Sequence, residues 1–289
     1  MRCETTYATS DSFMIPIYVI ALESSQDRRQ NMTKRLDDMG LKFTFIDAVL
    51  GKTIPSAEQA RLISAKRQDY LATPMSEGAL GCLLSHRKAW QMLLDSKADM
   101  ALVLEDDAML SPDTPMILDR IKRLKGRFDI ISLERRLSRP LVDIAQLSEA
   151  HRLTHTQFNN SGATGYVITK KAAQRLLNLS IPAIYEVDTL MNRWWEHGMP
   201  FLIVQPALVQ EDDLDSTIGY PSEKPTWPGD RLSHEIKRRF NRFLDSMTKR
   251  RSFGAMIATA KMRLMGTNPS ETKNNPSFPN LIEMTNPDE

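Results

Sequence analysis

The sequence predicts an α/β fold with a mostly parallel central sheet, followed by a basic helical extension. Short apolar runs and helical patterns alternate between residues 15 and 204, which is typical of parallel strands joined by helices. The run 100–104 has no alternating polar residues, as expected for a strand buried on both faces. Beyond residue 230, apolar residues recur at helical spacing between lysines and arginines. We therefore expect a flexible leader over 1–14 and one domain over 15–220. A linker with a basic amphipathic helix over 221–266 and a disordered tail over 267–289 would follow.

Eight segments are candidate strands, and six are candidate helices. The strands are expected at 15–22, 43–49, 100–104, 128–133, near 141–144 and 153–157, and at 165–168 and 201–204. The helices are expected at 27–40, 56–66, 77–94, 112–124, 170–179 and 188–197. Asp27, Ser76 and Thr169 are residue types that cap helix N-termini, and Gly40 suits a helix C-terminus.

Charge is unevenly distributed along the chain. The formal net charge is +2, but residues 231–263 contain ten Lys/Arg and two acids, a local charge of +8 that leaves −6 elsewhere. The two cysteines, Cys3 and Cys82, form no disulfide framework, which favours a reduced, cytoplasmic protein. Residues 1–14 do not resemble a signal peptide, and the apolar run 15–22 is too short to cross a bilayer.

Three carboxylates, Glu105, Asp106 and Asp107, directly follow the buried strand 100–104. Open α/β sheets place their ligand crevice at the carboxyl ends of the strands. Adjacent carboxylates repel one another, so they require either solvent or a cation. Hard oxygen ligands suit Mg²⁺ or Mn²⁺, which also bridge phosphate oxygens. The triplet alone fits either a metal–diphosphate site or a polar turn.

Further candidates lie near the starts of two predicted helices. Arg28 and Arg29 occupy a first helical turn, where a cation is unfavourable unless an anion such as phosphate lies nearby. The alternative is that both side chains are simply solvated. Gly81 costs helix stability, which the close approach of a ligand or of another backbone would explain. Ser85 and His86 follow on the same helix, where a single histidine is more often structural than catalytic.

Several segments, in this order along the chain, resemble glycosyltransferase family 25, the lipopolysaccharide-biosynthesis galactosyltransferase-like proteins. The matching segments are 17–20 with 25–32, 77–90, 102–107, 162–168, 187–188, and 210 with 216–218. They cover roughly residues 15–218, most of the chain, and the combined pattern is far more specific than any one segment.

The resemblance implies a GT-A-like domain that binds a nucleotide sugar, a UDP-sugar donor carrying a hexose such as galactose, and inversion at the anomeric carbon. It makes residues 105–107 the equivalent of the acidic Asp-x-Asp metal motif, although the first position here is Glu. The implied ligands of Mn²⁺ or Mg²⁺ are Asp107, Glu105 and Gln210. The implied donor-binding residues are Arg28, Gly81, Ser85, His86, Glu105 and Asp106.

Inversion requires a carboxylate that takes the proton of the attacking acceptor hydroxyl. Asp188 is the predicted base, because it stands at a loop-to-helix junction after Pro182 and matches a family position. A helix cap or an ion-pair partner is the alternative role for Asp188. Glu186, Asp212 and Asp213 are the reserve candidates.

Two other classes of function compete with glycosyl transfer. A nucleotidyltransferase would carry a glycine-rich phosphate loop after the first strand, and residues 22–25 contain no glycine. A non-enzymatic nucleotide-sugar-binding protein would keep the fold, but the retained acids argue against it. The sugar, the glycan acceptor (a lipopolysaccharide core or O-chain), the preferred metal and the oligomeric state are left open.

The basic region 231–263 predicts a partner for the C-terminal helix. Its apolar residues share one helical face, and such a helix can lie on an anionic membrane surface. A cytoplasmic enzyme peripheral to the inner face of the cell membrane is expected; the alternative is that the apolar stripe packs on the domain. Nucleic acid is not an expected partner, because no recognition motif accompanies the charge. The stripe comprises Leu232, Ile236, Phe240, Phe243, Leu244 and Met247.

Overall fold

The core of the molecule is an eight-stranded sheet with the order β2-β1-β3-β8-β5-β9-β7-β6. The structure is a computed structural model that describes residues 15–135, 138–212 and 231–266. The strands are β1 (Ile17–Ala21), β2 (Thr44–Asp47), β3 (Met100–Glu105), β4 (Ala108–Leu110), β5 (Ile130–Ser132), β6 (Val142–Gln146), β7 (Arg152–His155), β8 (Gly165–Thr169), β9 (Phe201–Gln205) and β10 (Val209–Glu211).

Most strands of this sheet run in one direction. β1 pairs in parallel with β2 and β3, and β5 pairs in parallel with β9. β8 is antiparallel to β3 and β5, and β7 is antiparallel to β9 and β6. Six of the eight strands therefore point the same way. The predicted α/β class with a mostly parallel sheet is confirmed.

Helices cover both faces of the sheet. They are α1 (Gln26–Asp38), α2 (Ser56–Leu62), α3 (Arg67–Tyr70), α4 (Glu77–Asp95), α5 (Thr114–Arg123), α6 (Lys170–Ser180), α7 (Val187–Asn192), α8 (Trp194–His197) and α9 (Arg231–Met265). Alternate residues of β1 enter two separate hydrophobic clusters, which is the period-two pattern of a strand buried on both sides. α4, α6 and α7 pack in one cluster, and α1 and α5 pack in the other.

Local capping signals explain where several helices begin. Ser76 Oγ accepts a hydrogen bond from the Ala79 amide at 3.1 Å, and Thr169 Oγ1 accepts one from Ala172 at 3.3 Å, so both predicted caps are confirmed. Asp27 instead lies inside the first turn of α1, whose N-cap is Ser25.

Three predicted helices differ from the structure. The segment 188–197 forms two short helices, α7 and α8, because Arg193 between them leaves the helical conformation. The segment 56–66 is shorter than predicted, because the chain becomes extended at Ile63, which bridges to Ala183. α5 begins at Thr114 rather than at Pro112. Before it, the Ser111 amide donates to the Leu208 carbonyl at 2.8 Å, which joins this segment to the start of β10.

A two-stranded ribbon that the sequence analysis did not anticipate lies beside the sheet. β4 follows Asp107 directly and pairs antiparallel with β10. The ribbon ends where the Asp212 amide donates to the Asp107 carbonyl at 2.9 Å. It therefore joins the two acidic segments of the sequence, which are about a hundred residues apart.

The C-terminal extension is a single 35-residue helix, α9, as predicted. Ala260 and Leu264 of α9 are buried in the domain, and Arg263 forms an ion pair with Asp129. No helix in the described ranges is both long enough and apolar enough to span a bilayer. The predicted leader, most of the linker and the predicted tail lie outside the described residues.

Candidate active site

The three acids of residues 105–107 lie at the carboxyl end of β3, as predicted. The last apolar residue of the strand, Leu104, is fully buried, and the Glu105 side chain is 23% exposed. The Glu105 amide donates to the Thr164 carbonyl at 2.9 Å, so the start of β8 borders the site. A Cβ at Gly165 would lie 2.8 Å from a Val209 methyl group, and only glycine lets β8 and the ribbon meet here.

Asp107 is the most electrostatically strained of the three acids. Burial raises its pKa to about 7, and the charges of Glu105, Asp106 and Glu211 act in the same direction. Its Oδ1 atom is buried without a hydrogen-bond partner among the described residues. A carboxylate that is ionised, buried and unpaired is costly, and a bound cation would remove that cost. The donor set therefore fits a divalent metal ion with hard oxygen ligands.

Asp106 forms an ion pair with Arg28. Arg28, from the first turn of α1, donates from Nη1 to Asp106 Oδ1 at 3.0 Å, and both side chains are 13% exposed. Burial raises the pKa of Asp106, and Arg28 opposes that rise. The pair joins the start of α1 to the end of β3. Arg28 thus lies in the acidic site, and its predicted contact with a donor phosphate stays a prediction.

A buried chain of hydrogen bonds orients Glu105. The Trp90 indole, which can only donate, lies 2.9 Å from the Tyr166 hydroxyl. Tyr166 lies 2.8 Å from His86 Nδ1, and His86 Nε2 lies 3.0 Å from Glu105 Oε1. With a neutral imidazole and an ionised Glu105, Tyr166 donates to His86 Nδ1, and His86 donates from Nε2 to the carboxylate. His86 is fully buried, so it supports Glu105 from the protein side.

Cys82 lies one helical turn before His86 and faces the same carboxylate. Its thiol donates to Glu105 Oε1 at 3.7 Å, and potential ligand atoms of Cys82, His86 and Glu105 lie within 4.8 Å of one another. Burial raises the pKa of Cys82 well above its usual value, as do Glu105, Asp188 and Asp107. The thiol therefore stays protonated. The same pKa shift shows that the charge of Asp188 reaches this cluster.

Asp188, the predicted base, lies in the first turn of α7. Its carboxylate accepts from the Gly162 amide at 3.3 Å, and the side chain is half-buried. The segment before α7 is fixed by the buried Arg67 guanidinium, which donates to the Ile184 carbonyl at 2.5 Å and pairs with Glu186. Asp188 is therefore held by the backbone around it, and its carboxylate has no ion-pair partner among the described residues.

Two predicted donor-binding residues have internal contacts. Ser85 Oγ donates to the Gly81 carbonyl at 2.7 Å and accepts from the Val49 amide at 2.8 Å. A Cβ at Gly81 would lie 2.5 Å from the Val49 carbonyl oxygen and 2.7 Å from the Gly51 nitrogen. The group that approaches Gly81 closely is thus the backbone of the loop after β2. Gly81 and Ser85 position that loop, and their contact with a donor stays a prediction.

The remaining candidates have structural contacts or lie outside the described residues. Arg29 donates to the Ala21 and Leu22 carbonyls and lies over the Phe45 ring, so it joins β1 to β2. Asp212 pairs with Arg35. Asp213 and residues 216–218 lie outside the described residues.

The second acidic segment contributes a residue that the sequence analysis missed. Gln210, the predicted ligand, is exposed and lies opposite Met109 in the ribbon. Successive strand residues point to opposite faces, and the charge of Glu211, after burial, Glu105 and Asp106, contributes to the raised pKa of Asp107. Glu211 therefore joins the candidate set, and Gln210 stays a prediction.

Other supporting residues also went unrecognised. Cys82 could have been found from its four-residue spacing to His86, which places both on one helix face. No local pattern marks Tyr166 or Arg67, whose partners lie far away in sequence.

Comparison with known proteins identifies relatives along most of the chain. The lacto-N-neotetraose biosynthesis glycosyltransferase LgtE of Neisseria meningitidis serogroup B is 28% identical over 208 residues, covering 68% of this chain and 73% of the relative. LgtB of Neisseria gonorrhoeae is 25% identical, covering 81% and 94%. Human procollagen galactosyltransferase 2 is 25% identical and covers 73% of this chain, which matches only 37% of that protein.

Solved structures give weaker similarity. The galactosyltransferase LgtC, crystallised with donor and acceptor sugar analogues, superposes with a TM-score of 0.36 and 10% identity, covering 78% of this chain and 95% of LgtC. A TM-score this low does not distinguish one α/β family from another.

The family assignment rests on the sequence. Residues 14–191, more than half of the chain, match glycosyltransferase family 25, which is described as an LPS biosynthesis protein family. The matched region contains the acids of β3, the buried Trp90 and His86 of α4, and Asp188. The chain belongs to glycosyltransferase family 25.

Proposed function

We propose that this family 25 glycosyltransferase transfers a hexose, galactose in the first instance, from a UDP-sugar to a hydroxyl of a glycan acceptor. The observation that carries the proposal is the buried Asp107 Oδ1 atom at the end of β3, which has no hydrogen-bond partner among the described residues. The charge of the half-buried Asp188 acts on the same cluster. Galactose is favoured because several relatives are named as galactosyltransferases. The site would lie in a GT-A-like nucleotide-sugar domain.

The acids of β3 and the ribbon are the proposed metal ligands. Asp107 and Glu105 are half-buried, Glu211 is exposed beside them, and the charges of Glu105 and Glu211 disfavour ionised Asp107. Gln210 is the predicted neutral ligand. Mn²⁺ or Mg²⁺ held there would neutralise the charge that develops on the departing diphosphate. His86 would keep Glu105 in one orientation, because its Nε2 already lies 3.0 Å from that carboxylate.

Asp188 is the proposed general base of an inverting transfer. The acceptor oxygen would attack the anomeric carbon while the bond from that carbon to the diphosphate oxygen breaks, and UDP would leave with the electron pair. The hydroxyl proton would pass to the Asp188 carboxylate as the new bond forms. Arg67 would act as a positioning residue, since it fixes the backbone that precedes α7.

The proposed setting is the cytoplasmic face of a membrane. Acceptors such as a lipopolysaccharide core or O-chain are carried on lipid, and the LPS biosynthesis description of the family agrees with this choice. The basic helix α9 would hold the enzyme peripherally at an anionic surface.

Release of UDP tests the activity. Purified protein would be mixed with a panel of UDP-hexoses, simple β-glycoside acceptors and Mn²⁺ or Mg²⁺, with a chelator as the negative condition. We expect acceptor-dependent UDP release that is strongest with UDP-galactose and lost with chelator. The product's anomeric configuration, read by NMR, should be opposite to that of the donor.

A matched pair of variants gives the control. Asp107→Asn should abolish transfer, whereas Asp143→Asn, at a carboxylate 68% exposed on β6, should leave it unchanged. Full activity of Asp107→Asn with metal present, or unchanged activity in chelator, would contradict the proposed metal site.

A further inference from the structure

Five large apolar side chains on the N-terminal half of α9 face away from the domain. Their exposed fractions run from 43% to 68%, although they belong to the residue types most often buried. Spacings of three and four residues place them on one helix face. We call this surface the α9 stripe; it consists of Leu232, Ile236, Phe240, Phe243 and Leu244.

The opposite side of the same helix half is already docked. His234 Nδ1 lies 2.8 Å from Asp69 Oδ1, and Asn241 donates to the Asp69 carbonyl at 2.9 Å. Further along, Asp245 forms an ion pair of 2.8 Å with Arg193. Polar contacts thus hold the helix to α3 and to the start of α8, and the stripe points outwards. The alternative that this stripe packs on the domain is wrong for residues 232–244.

Cations border the α9 stripe. Lys237 and Arg239 flank it, with side chains 55% and 72% exposed. Arg250 and Arg251 are exposed and follow Phe243 and Leu244 by seven residues, which places them two turns along the same face.

Acids near the border reduce this positive charge without cancelling it. Glu235 pairs with Arg239, and Asp69 of α3 pairs with Lys237, whereas Asp245 pairs with Arg193 of the domain. Arg250 and Arg251 form no ion pair among the described residues. The outward surface of this helix half is therefore apolar in the middle and positive along its borders.

We propose that residues 232–251 form a preformed anchor that lies in the plane of an anionic lipid bilayer. The α9 stripe enters the boundary between headgroups and acyl chains, and the flanking Lys and Arg side chains bind lipid phosphates. Because the helix is already folded and docked, binding costs little ordering entropy. This inference rests on the proposed peripheral location and assigns it to one half of α9.

Charge favours a bilayer over a second copy of the chain as the occupant. A dimer through the α9 stripe would bring the bordering cations of both copies together, and like charges across an interface are unfavourable. An anionic surface instead gains from each of them. Attraction of this kind falls off within a Debye length, so it weakens in high salt.

Flotation of the full chain with phosphatidylcholine vesicles, with and without phosphatidylserine, tests the anchor. Wild-type protein should bind only the anionic vesicles. Phe240→Ser/Phe243→Ser should weaken binding by at least about tenfold, since two large side chains no longer leave water. The matched control is Met116→Ser/Leu179→Ser, at residues 41% and 46% exposed on other helices, which should bind as wild type.

A second pair of variants tests the charges. Arg250→Gln/Arg251→Gln should weaken binding on the order of 30-fold, because each cation near the surface contributes about fivefold. Lys34→Gln/Lys171→Gln, at exposed lysines outside α9, should change it much less.

Two outcomes would overturn the anchor. One is equal binding of the stripe variant and its control. The other is a solution dimer that Phe240→Ser/Phe243→Ser dissociates, with no vesicle binding by the wild type. UDP release with soluble acceptors, measured on the same proteins, should be unchanged, so failure of the anchor and failure of the proposed reaction are distinguishable.

Discussion

Asp107 shows how one residue can lower the stability of the folded protein and still suit a metal-binding site. Burial and three neighbouring acids hold its pKa near 7. A raised carboxyl pKa means that the folded state binds the proton more readily than the unfolded chain. Stability of the metal-free protein should therefore rise as the pH falls from about 7 towards 4.

Asp107→Asn should thus stabilise the metal-free protein while abolishing transfer. The amide removes the buried charge that Glu105, Asp106 and Glu211 disfavour. Melting temperatures in chelator should exceed those of the wild type at pH 8, and the difference should shrink at pH 5. A variant less stable than the wild type at pH 8 would show that this carboxylate is satisfied in the folded protein.

Asp188 gives the second prediction at this scale. Asp188→Asn should lower kcat by about 10²- to 10⁴-fold, the range for a general base, with little loss of UDP affinity. The reason is that the group acts on the acceptor hydroxyl rather than on the nucleotide. Single-turnover rates and UDP titration measure the two quantities separately. A collapse of UDP affinity along with the rate would assign Asp188 to the donor site instead.

At the scale of elements, the closest packing lies between α4 and the loop after β2. A Cβ at Gly81 would lie closer to backbone atoms of that loop than any side chain tolerates. A Cβ at Gly254 in α9 would meet nothing within 4 Å. Gly81→Ala should therefore destabilise the protein by about 1–3 kcal/mol. Gly254→Ala should stabilise it by about 0.5–1 kcal/mol, through the better helix propensity of alanine.

Urea unfolding of both variants measures this contrast. If Gly81 and Ser85 position the loop for the donor, Gly81→Ala should also raise the KM for the UDP-sugar. Equal stability of the two variants would mean that α4 and the loop separate at little cost.

Element-scale predictions from sequence succeeded where the signal is local. The Ser76 and Thr169 caps bond to amides three residues ahead, and the β3 acids follow a continuous apolar run. The β4–β10 ribbon pairs three-residue strands about a hundred positions apart, and neither strand has a pattern of its own. The roles of Tyr166 and Arg67 were not predicted for the same reason, because their hydrogen-bond partners lie far away in sequence.

At the scale of the whole molecule, two buried histidines make the fold sensitive to acid. Burial lowers the pKa of His155 to about 4 and that of His197 to about 4. His155 Nδ1 lies 2.7 Å from the Phe201 carbonyl oxygen, and its ring stacks on Phe253 of α9. Protonation of His155 would place a charge at the interface between the sheet and α9.

Stability should consequently fall as the pH drops from about 6.5 to about 4, by up to about 3 kcal/mol for each histidine. The sign follows because the unfolded chain takes up these protons and the folded chain does not. Asp107 acts in the opposite direction, so the informative quantity is the difference between wild type and His155→Gln. That difference should change between pH 7 and pH 4.5 in denaturant titrations, and a constant difference would contradict the buried neutral state.

Helix α9 contributes to both hydrophobic clusters of the sheet. Phe253 and Met256 pack in one, and Ile257, Ala260 and Leu264 pack in the other. A polypeptide made from its amino terminus therefore lacks part of both clusters until α9 emerges from the ribosome. Domains tend to fold as units during synthesis, and neither cluster of this one is complete before α9 has been made. Chains that terminate early would remain open on both faces and be substrates for chaperones and proteases.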